Sequence, residues 1–173
     1  MEIVVSGIRP TGNLHLGNYF GAIKSFLQLQ EQYKCFFFIA DWHLLTTDQH
    51  PDNIQKSIYT TLSEYLACGV NPEKSIIYVQ SDVKEISELY LYLNMNAGIG
   101  ELMRTVTFKD KARKQLNSDG KIISAGLLTY PTLMSADILI HKATKVPVGK
   151  DQEQNVEIAR TFTRAFNKTY KVN

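Results

Sequence analysis

At 173 residues, with 44% hydrophobic and 21% charged content and a net charge of +2, the chain has the balance of a soluble globular protein. That length suits one domain, or one with a small appendage, and suffices to bury a core. The near-neutral charge excludes a strongly polybasic nucleic-acid binder but allows a local basic patch. No secretory leader is visible and no apolar run approaches the roughly 18 residues of a membrane span, so a cytoplasmic protein without a membrane partner is expected. Cys35 and Cys68 lack the spacing of a metal site or redox pair and are expected to be buried thiols.

The first strand is predicted at Glu2–Ser6, on the run Ile3-Val4-Val5, and an amphipathic helix over Tyr19–Gln32. Between them lies Pro10-Thr11-Gly12-Asn13-Leu14-His15-Leu16-Gly17-Asn18, a Pro/Gly turn opening a helix. Backbone amides and the positive dipole end at such a place suit a polyphosphate. Gly17 removes a side chain that would hold a nucleobase off the backbone. His15 and Asn18 share the first turn, where two neutral donors can stabilise charge on a phosphoryl group. Ordinary helix capping explains the same residues, and what favours a ligand is position, directly after the first strand of an α/β pattern.

The second strand is predicted at Cys35–Ala40 and ends in Asp41-Trp42-His43. Asp41 and His43 suit either the same crevice or plain cap and loop duty, and Trp42 reads as packing. A helix over Pro51–Ala67 leads to a third strand, Ser75–Gln80, after which Ser81 or Asp82 is expected to cap the next helix. That helix is predicted over Lys84–Asn94, with more helix through Ile99–Phe108, and the region carries more apolar surface than one helical face needs. Lys109, Lys111, Arg113 and Lys114 form a basic run that serves as a solvated face or as a phosphate contact.

After a Gly120-centred loop, Gln115–Lys121, the segment Ser124–His141 is almost wholly apolar. At helical spacing Tyr130, Met134, Asp137 and Ile138 share one face. A carboxylate on that face needs a partner, which a ligand donor supplies if the face lines a pocket rather than the core. A short strand is predicted at Lys145–Val148, and a last helix from Gln152 to about Asn167, beyond which no closing element is expected. Between these, Gly149-Lys150-Asp151-Gln152 places a carboxylate and an amide after a glycine, fit for a ribose diol or for capping. Strands separated by helices predict an α/β fold with a doubly wound parallel sheet.

Five ordered blocks carry a family resemblance: Ser6–Gly12, His15–Tyr19, Ile99–Leu102, Ser124–Pro131 and Val146–Gln152. Together they closely resemble the catalytic domain of the bacterial tryptophanyl-tRNA synthetases, which are class I aminoacyl-tRNA synthetases with a Rossmann-like domain. Met134 and Asp137 separate the pattern from the sister tyrosyl enzymes. The resemblance covers the whole chain and implies ATP with Mg²⁺, L-tryptophan, tRNA(Trp) and a homodimer through Lys84–Phe108. It implies a catalytic role for His15, Asn18 and Lys111, the lysine near the ATP phosphates. Arg9, Thr11, Gly12, His15, Gly17, Asn18, Gly149, Asp151 and Gln152 match positions around ATP. Asp137 matches the acceptor for the indole N–H, and Met134 and Ile138 match the pocket wall. Tyr130 and Gln152 match groups that hold the α-amino group, while Val5, His43 and Val148 match neighbours of the amino-acid site.

Arg9 stands where many family members carry glutamine. The family's KMSKS-type loop and helical anticodon-binding domain are not in this sequence, so residues 1–173 are expected to be a catalytic domain ending before them. The implied reaction is attack of the tryptophan carboxylate on the ATP α-phosphorus, with no residue acting as nucleophile and no dedicated metal cage. Two other readings stay open: a different nucleotidyltransferase with a similar turn, and a module that binds tryptophan or nucleotide without activating either.

Overall fold

The computed structural model describes residues 2–12, 15–116 and 123–172, and these form two compact units. The first comprises Met1–Lys84 and His141–Gly149, and the second Glu85–Ile140 and Lys150–Asn173.

In the first unit β1 (Ile3–Ile8), β2 (Lys34–Ile39) and β3 (Ser75–Val79) make a parallel sheet in the order β1-β2-β3. The β-branched and aromatic composition of these strands suits a sheet covered on both faces. Alternation divides them. Val4, Ile8, Cys35, Phe37 and Ile39 enter the larger core cluster, while Val5, Phe38 and Ala40 form a smaller one with Phe36, Tyr78 and Ala143. Burial pushes the Cys35 thiol pKa upward, whereas Cys68 is only half-buried, against the expectation of two buried thiols.

Helical segments cover the larger cluster. Predicted Tyr19–Gln32 begins earlier, as α1 (Leu16–Asn18), continues as a π-helical turn over Tyr19–Ile23 and ends as α2 (Lys24–Leu29). Phe26 of α2 stacks on Phe37 with centroids 4.1 Å apart, and Tyr65 of α4 (Pro51–Ala67) meets Phe26 edge-on. The Tyr65 hydroxyl, fully buried, donates to the Phe38 carbonyl at 3.3 Å. Phe37→Ala is expected to cost about 3–5 kcal/mol, because the stacked partner cannot follow into the void. Urea unfolding checks this, and a loss within about 1 kcal/mol would move the centre of the core elsewhere.

Several predicted boundaries shift. β1 runs two residues further than Glu2–Ser6, through Gly7 and Ile8, because both pair in register with Phe38 and Ile39. The predicted strand Lys145–Val148 reduces to one parallel bridge between Lys145 and Val4, since Pro147 has no N–H to continue a ladder. Thr144 and Lys145 still donate to the Ile3 carbonyl at 2.9 and 3.1 Å, so this segment lies along β1.

The second unit is helical: α5 (Lys84–Asn96, its first residue in the first unit), α6 (Ile99–Leu102), α7 (Val106–Leu116), α8 (Ala125–Leu128), α9 (Tyr130–Ile140) and α10 (Glu153–Tyr170). Predicted Ile99–Phe108 is broken at Thr105, whose hydroxyl donates to the Leu102 carbonyl at 3.0 Å and accepts from the Phe108 amide at 3.3 Å. Ser124–His141 splits into α8 and α9 at Thr129, because Pro131 can open a helix but not continue one. Ser124 caps α8 through the Leu127 amide. The predicted loop Gln115–Lys121 opens with two residues that belong to α7, and 117–121 lie outside the described residues. Contrary to expectation, the last helix continues to Tyr170, where Lys171 adopts a left-handed cap. Asn155, Ile158, Ala159 and Phe162 form its buried stripe, along which α9 packs.

Candidate functional site

Past β1 the chain turns tightly at Pro10, with the Thr11 amide bonded to the Arg9 carbonyl at 2.8 Å. Gly12 then adopts φ 112°, a conformation that L side chains rarely take. Pro10, Thr11 and Gly12 line an open cleft of about 510 Å³ together with Lys56, Ser57 and Thr60 of α4. Arg9 is half-buried and its Nη1, fully buried, has no hydrogen-bond partner among the described residues.

His15 and Asn18 form a reciprocal capping box at the start of α1. The Gly17 amide donates to His15 Nδ1 at 3.1 Å, and the His15 amide donates to Asn18 Oδ1 at 3.1 Å. Capping and ligand binding, posed as alternatives by the sequence, are therefore compatible. Capping takes the Nδ1 lone pair, so the ring hydrogen sits on Nε2, and it takes the Asn18 oxygen, so Nδ2 keeps its two donors. The cap thus leaves two defined donor groups on an exposed helix start. Gly17 has a reason that the sequence did not reveal: a Cβ there would lie 2.8 Å from the His15 ring.

At the ends of β2 and β3 the polar residues serve each other. Asp41 and His43 lie in a short helix, α3 (Asp41–Leu44), and both are buried. Asp41 Oδ1 accepts from the Ser81 amide at 3.1 Å and so holds the turn Gln80–Asp82 that follows β3. Gln80, fully buried, accepts from the Trp42 amide at 3.1 Å. Sequence reasoning gave Gln80 no role, and its only signal was a polar residue closing an apolar strand. Val5 is buried in the smaller cluster, whereas Val148 and Gly149 are exposed. Ser6 Oγ donates to the Pro147 carbonyl at 3.1 Å and ties this segment to β1.

In the second unit Tyr130, Met134, Asp137 and Ile138 share one face of α9, as expected. Asp137 is 1% exposed and Ile138 is buried, while Tyr130 and Met134 are half-buried. That face is not the only buried one, since Pro131, Thr132, Ser135 and Ala136 are buried too. Ser135 satisfies itself on the Pro131 carbonyl at 2.7 Å. Asp151 and Gln152 sit in the turn Lys150–Gln152, with Gln152 at the N-terminus of α10. Gln152 Nε2 donates to Asp151 Oδ2 at 2.7 Å. Lys109 and Arg113 are exposed on α7, and the Lys111 side chain lies outside the described residues.

Among the described residues a capped helix start follows β1, with donors that the cap does not use, and a buried carboxylate lies on an apolar helix. A family model described as tRNA synthetases class I (W and Y) matches residues 2–173. The chain belongs to this class I synthetase family. It is 71% identical over 173 residues to the tryptophan–tRNA ligase of Porphyromonas gingivalis, covering all of this chain and 52% of that protein. The solved tryptophanyl-tRNA synthetase of Mycoplasma pneumoniae superposes with a TM-score of 0.94 at 38% identity, over 100% of this chain and 51% of that one. That of Campylobacter jejuni, solved with ADP and tryptophan, gives 0.89 at 43% identity, over 96% of this chain and 50% of that one. The chain thus spans about half the length of the synthetases it matches.

Proposed function

We propose that residues 1–173 are the nucleotide-binding catalytic domain of a cytoplasmic tryptophanyl-tRNA synthetase, which activates L-tryptophan with ATP and passes it to tRNA(Trp). The observation that carries this reading is a chain 71% identical to a tryptophan–tRNA ligase that keeps a capped His15–Asn18 turn in its first unit and a buried Asp137 in its second. A tryptophan carboxylate oxygen attacks the ATP α-phosphorus, and pyrophosphate leaves as tryptophanyl-adenylate forms. A terminal tRNA hydroxyl then attacks the acyl carbon and releases AMP.

Positioning and electrostatics carry the rate, since no side chain is a nucleophile. His15 Nε2 and Asn18 Nδ2 donate to the phosphates, and Lys111 adds charge. Arg9, Thr11 and Gly12 border the nucleotide, and Gly17 lets the base approach. Gly149, Asp151 and Gln152 take the ribose. No side chain is assigned to Mg²⁺, which, bound with ATP, would offset charge on the phosphates. Asp137 accepts the indole N–H, Met134 and Ile138 wall the ring, and Tyr130 and Gln152 meet the α-amino group. Val5, His43 and Val148 border the amino-acid site. Tryptophan-dependent exchange of pyrophosphate into ATP tests the whole reading. Exchange driven by another carboxylate would refute it. Because the chain spans about half of its relatives, binding of both substrates without exchange is the second reading.

The same proposal includes a homodimer. Leu91, Met95, Ile99, Met103 and Val106 are exposed, Met95 at 75% and Ile99 at 66%, although Ile86, Leu93 and Leu102 of the same region are buried. A two-fold contact would cover this surface with its own copy. Sedimentation at micromolar concentration is expected to give a dimer, and a monomer that does not associate as concentration rises would overturn it.

A further inference from the structure

The Gln152 side chain sits in a relay whose direction is set from one end. Its Nε2 donates to Asp151 Oδ2 at 2.7 Å, and a carboxylate only accepts. Its Oε1 is therefore the other end, and there it accepts from Asn155 Nδ2 at 2.8 Å. Turning either amide over would set two acceptors against each other. Asn155 is 0% exposed, and its Oδ1 has no hydrogen-bond partner among the described residues. Burying an amide with an unmet acceptor is costly. The rest of that stripe is Ile158, Ala159 and Phe162, so packing alone would favour an apolar residue at position 155. What the amide supplies there is one donor, aimed at Gln152.

We infer that Asn155 is a positioning residue for Gln152. It fixes which end of the Gln152 amide is the acceptor and holds that oxygen with one lone pair left for an ammonium donor. The inference rests on the proposed contact between Gln152 and the α-amino group of tryptophan. It differs from a purely structural role in predicting that only ligands with an ammonium group notice the loss.

Calorimetry with tryptophan and with indole-3-propionate, which lacks the ammonium, tests this on the whole chain. Asn155→Leu is similar in volume and removes the donor without adding a charge, so it is expected to weaken tryptophan about 10-fold and indole-3-propionate less than about twofold. Gln152→Ala is expected to weaken tryptophan at least as much, and the double variant no further, because both losses pass through one amide. If Gln152→Ala leaves tryptophan binding intact, the reading of Gln152 fails and the inference falls with it. If Gln152→Ala weakens tryptophan but Asn155→Leu does not, the reading stands and the inference is overturned. Equal weakening of both ligands, or additive losses in the double variant, also overturns it. Asn155→Ala, which also lacks a donor, carries the test if Asn155→Leu melts early. Loss of the fold in both variants makes Asn155 structural and overturns the inference.

Discussion

A tryptophan analogue with sulfur in place of the indole N–H is expected to bind this chain about 10⁴-fold more weakly than tryptophan. Asp137 is 1% exposed on α9, a helix buried along most of its surface. A carboxylate so placed must be matched by donors, and in the proposed site the ring N–H is one of them. An analogue without it leaves an acceptor poorly matched in low dielectric, and that penalty discriminates better than shape does. Asp137→Asn exchanges a charge-assisted bond for a neutral one and is expected to weaken tryptophan by about 10- to 100-fold. Titration calorimetry with tryptophan, its sulfur analogue and an ATP analogue, on the unaltered chain and on Asp137→Asn, is the check. A similar loss for both ligands would place Asp137 in the core of α9 rather than against the indole.

Asn18→Asp is expected to lower the rate of adenylate formation by about 10²-fold or more while leaving stability almost unchanged. The structure makes this variant informative, because the cap and the ligand contact use different atoms of Asn18. Oδ1 receives the His15 amide, and aspartate keeps that acceptor and favours a helix N-terminus. Nδ2 supplies the donors, and aspartate replaces them with an oxygen that repels phosphate. His15→Ala removes both functions together, so it is expected to lose a similar factor in rate and about 1 kcal/mol of stability. Pyrophosphate exchange reads the rate and thermal melting reads the fold. An Asn18→Asp variant that keeps full rate would reduce this residue to a cap.

Elements were legible where local composition and tertiary environment agree. The runs that became β1, β2 and β3 read as strands because β-branched and aromatic residues suit a sheet covered on both faces, and Pro51–Ala67 is a helix over the range expected. Boundaries moved where a single hydrogen bond decides. The Thr105 hydroxyl breaks Ile99–Phe108, and Pro147 stops a strand at one bridge, effects of about 1 kcal/mol that periodicity over many residues does not resolve.

The order and identity of the chemical groups, from His15, Gly17 and Asn18 through Asp137 to Asp151 and Gln152, belong to the sequence by itself, and with them the family. Spacing of three and four along a helix is a local property, so the shared face of Tyr130, Met134 and Asp137 followed from it as well. Partner choice did not. That Asp41 holds the Ser81 amide, that Gln80 holds the Trp42 amide, and that Phe26 stacks on Phe37 depend on strands and helices distant in the chain coming side by side. Nor did side-chain direction: a sequence shows that His15 and Asn18 are polar, but only the folded turn shows which of their atoms the cap consumes and which it leaves for a ligand. Hydrogen-bond pairing is set by geometry within a few tenths of an ångström, and that geometry exists only after the chain has packed.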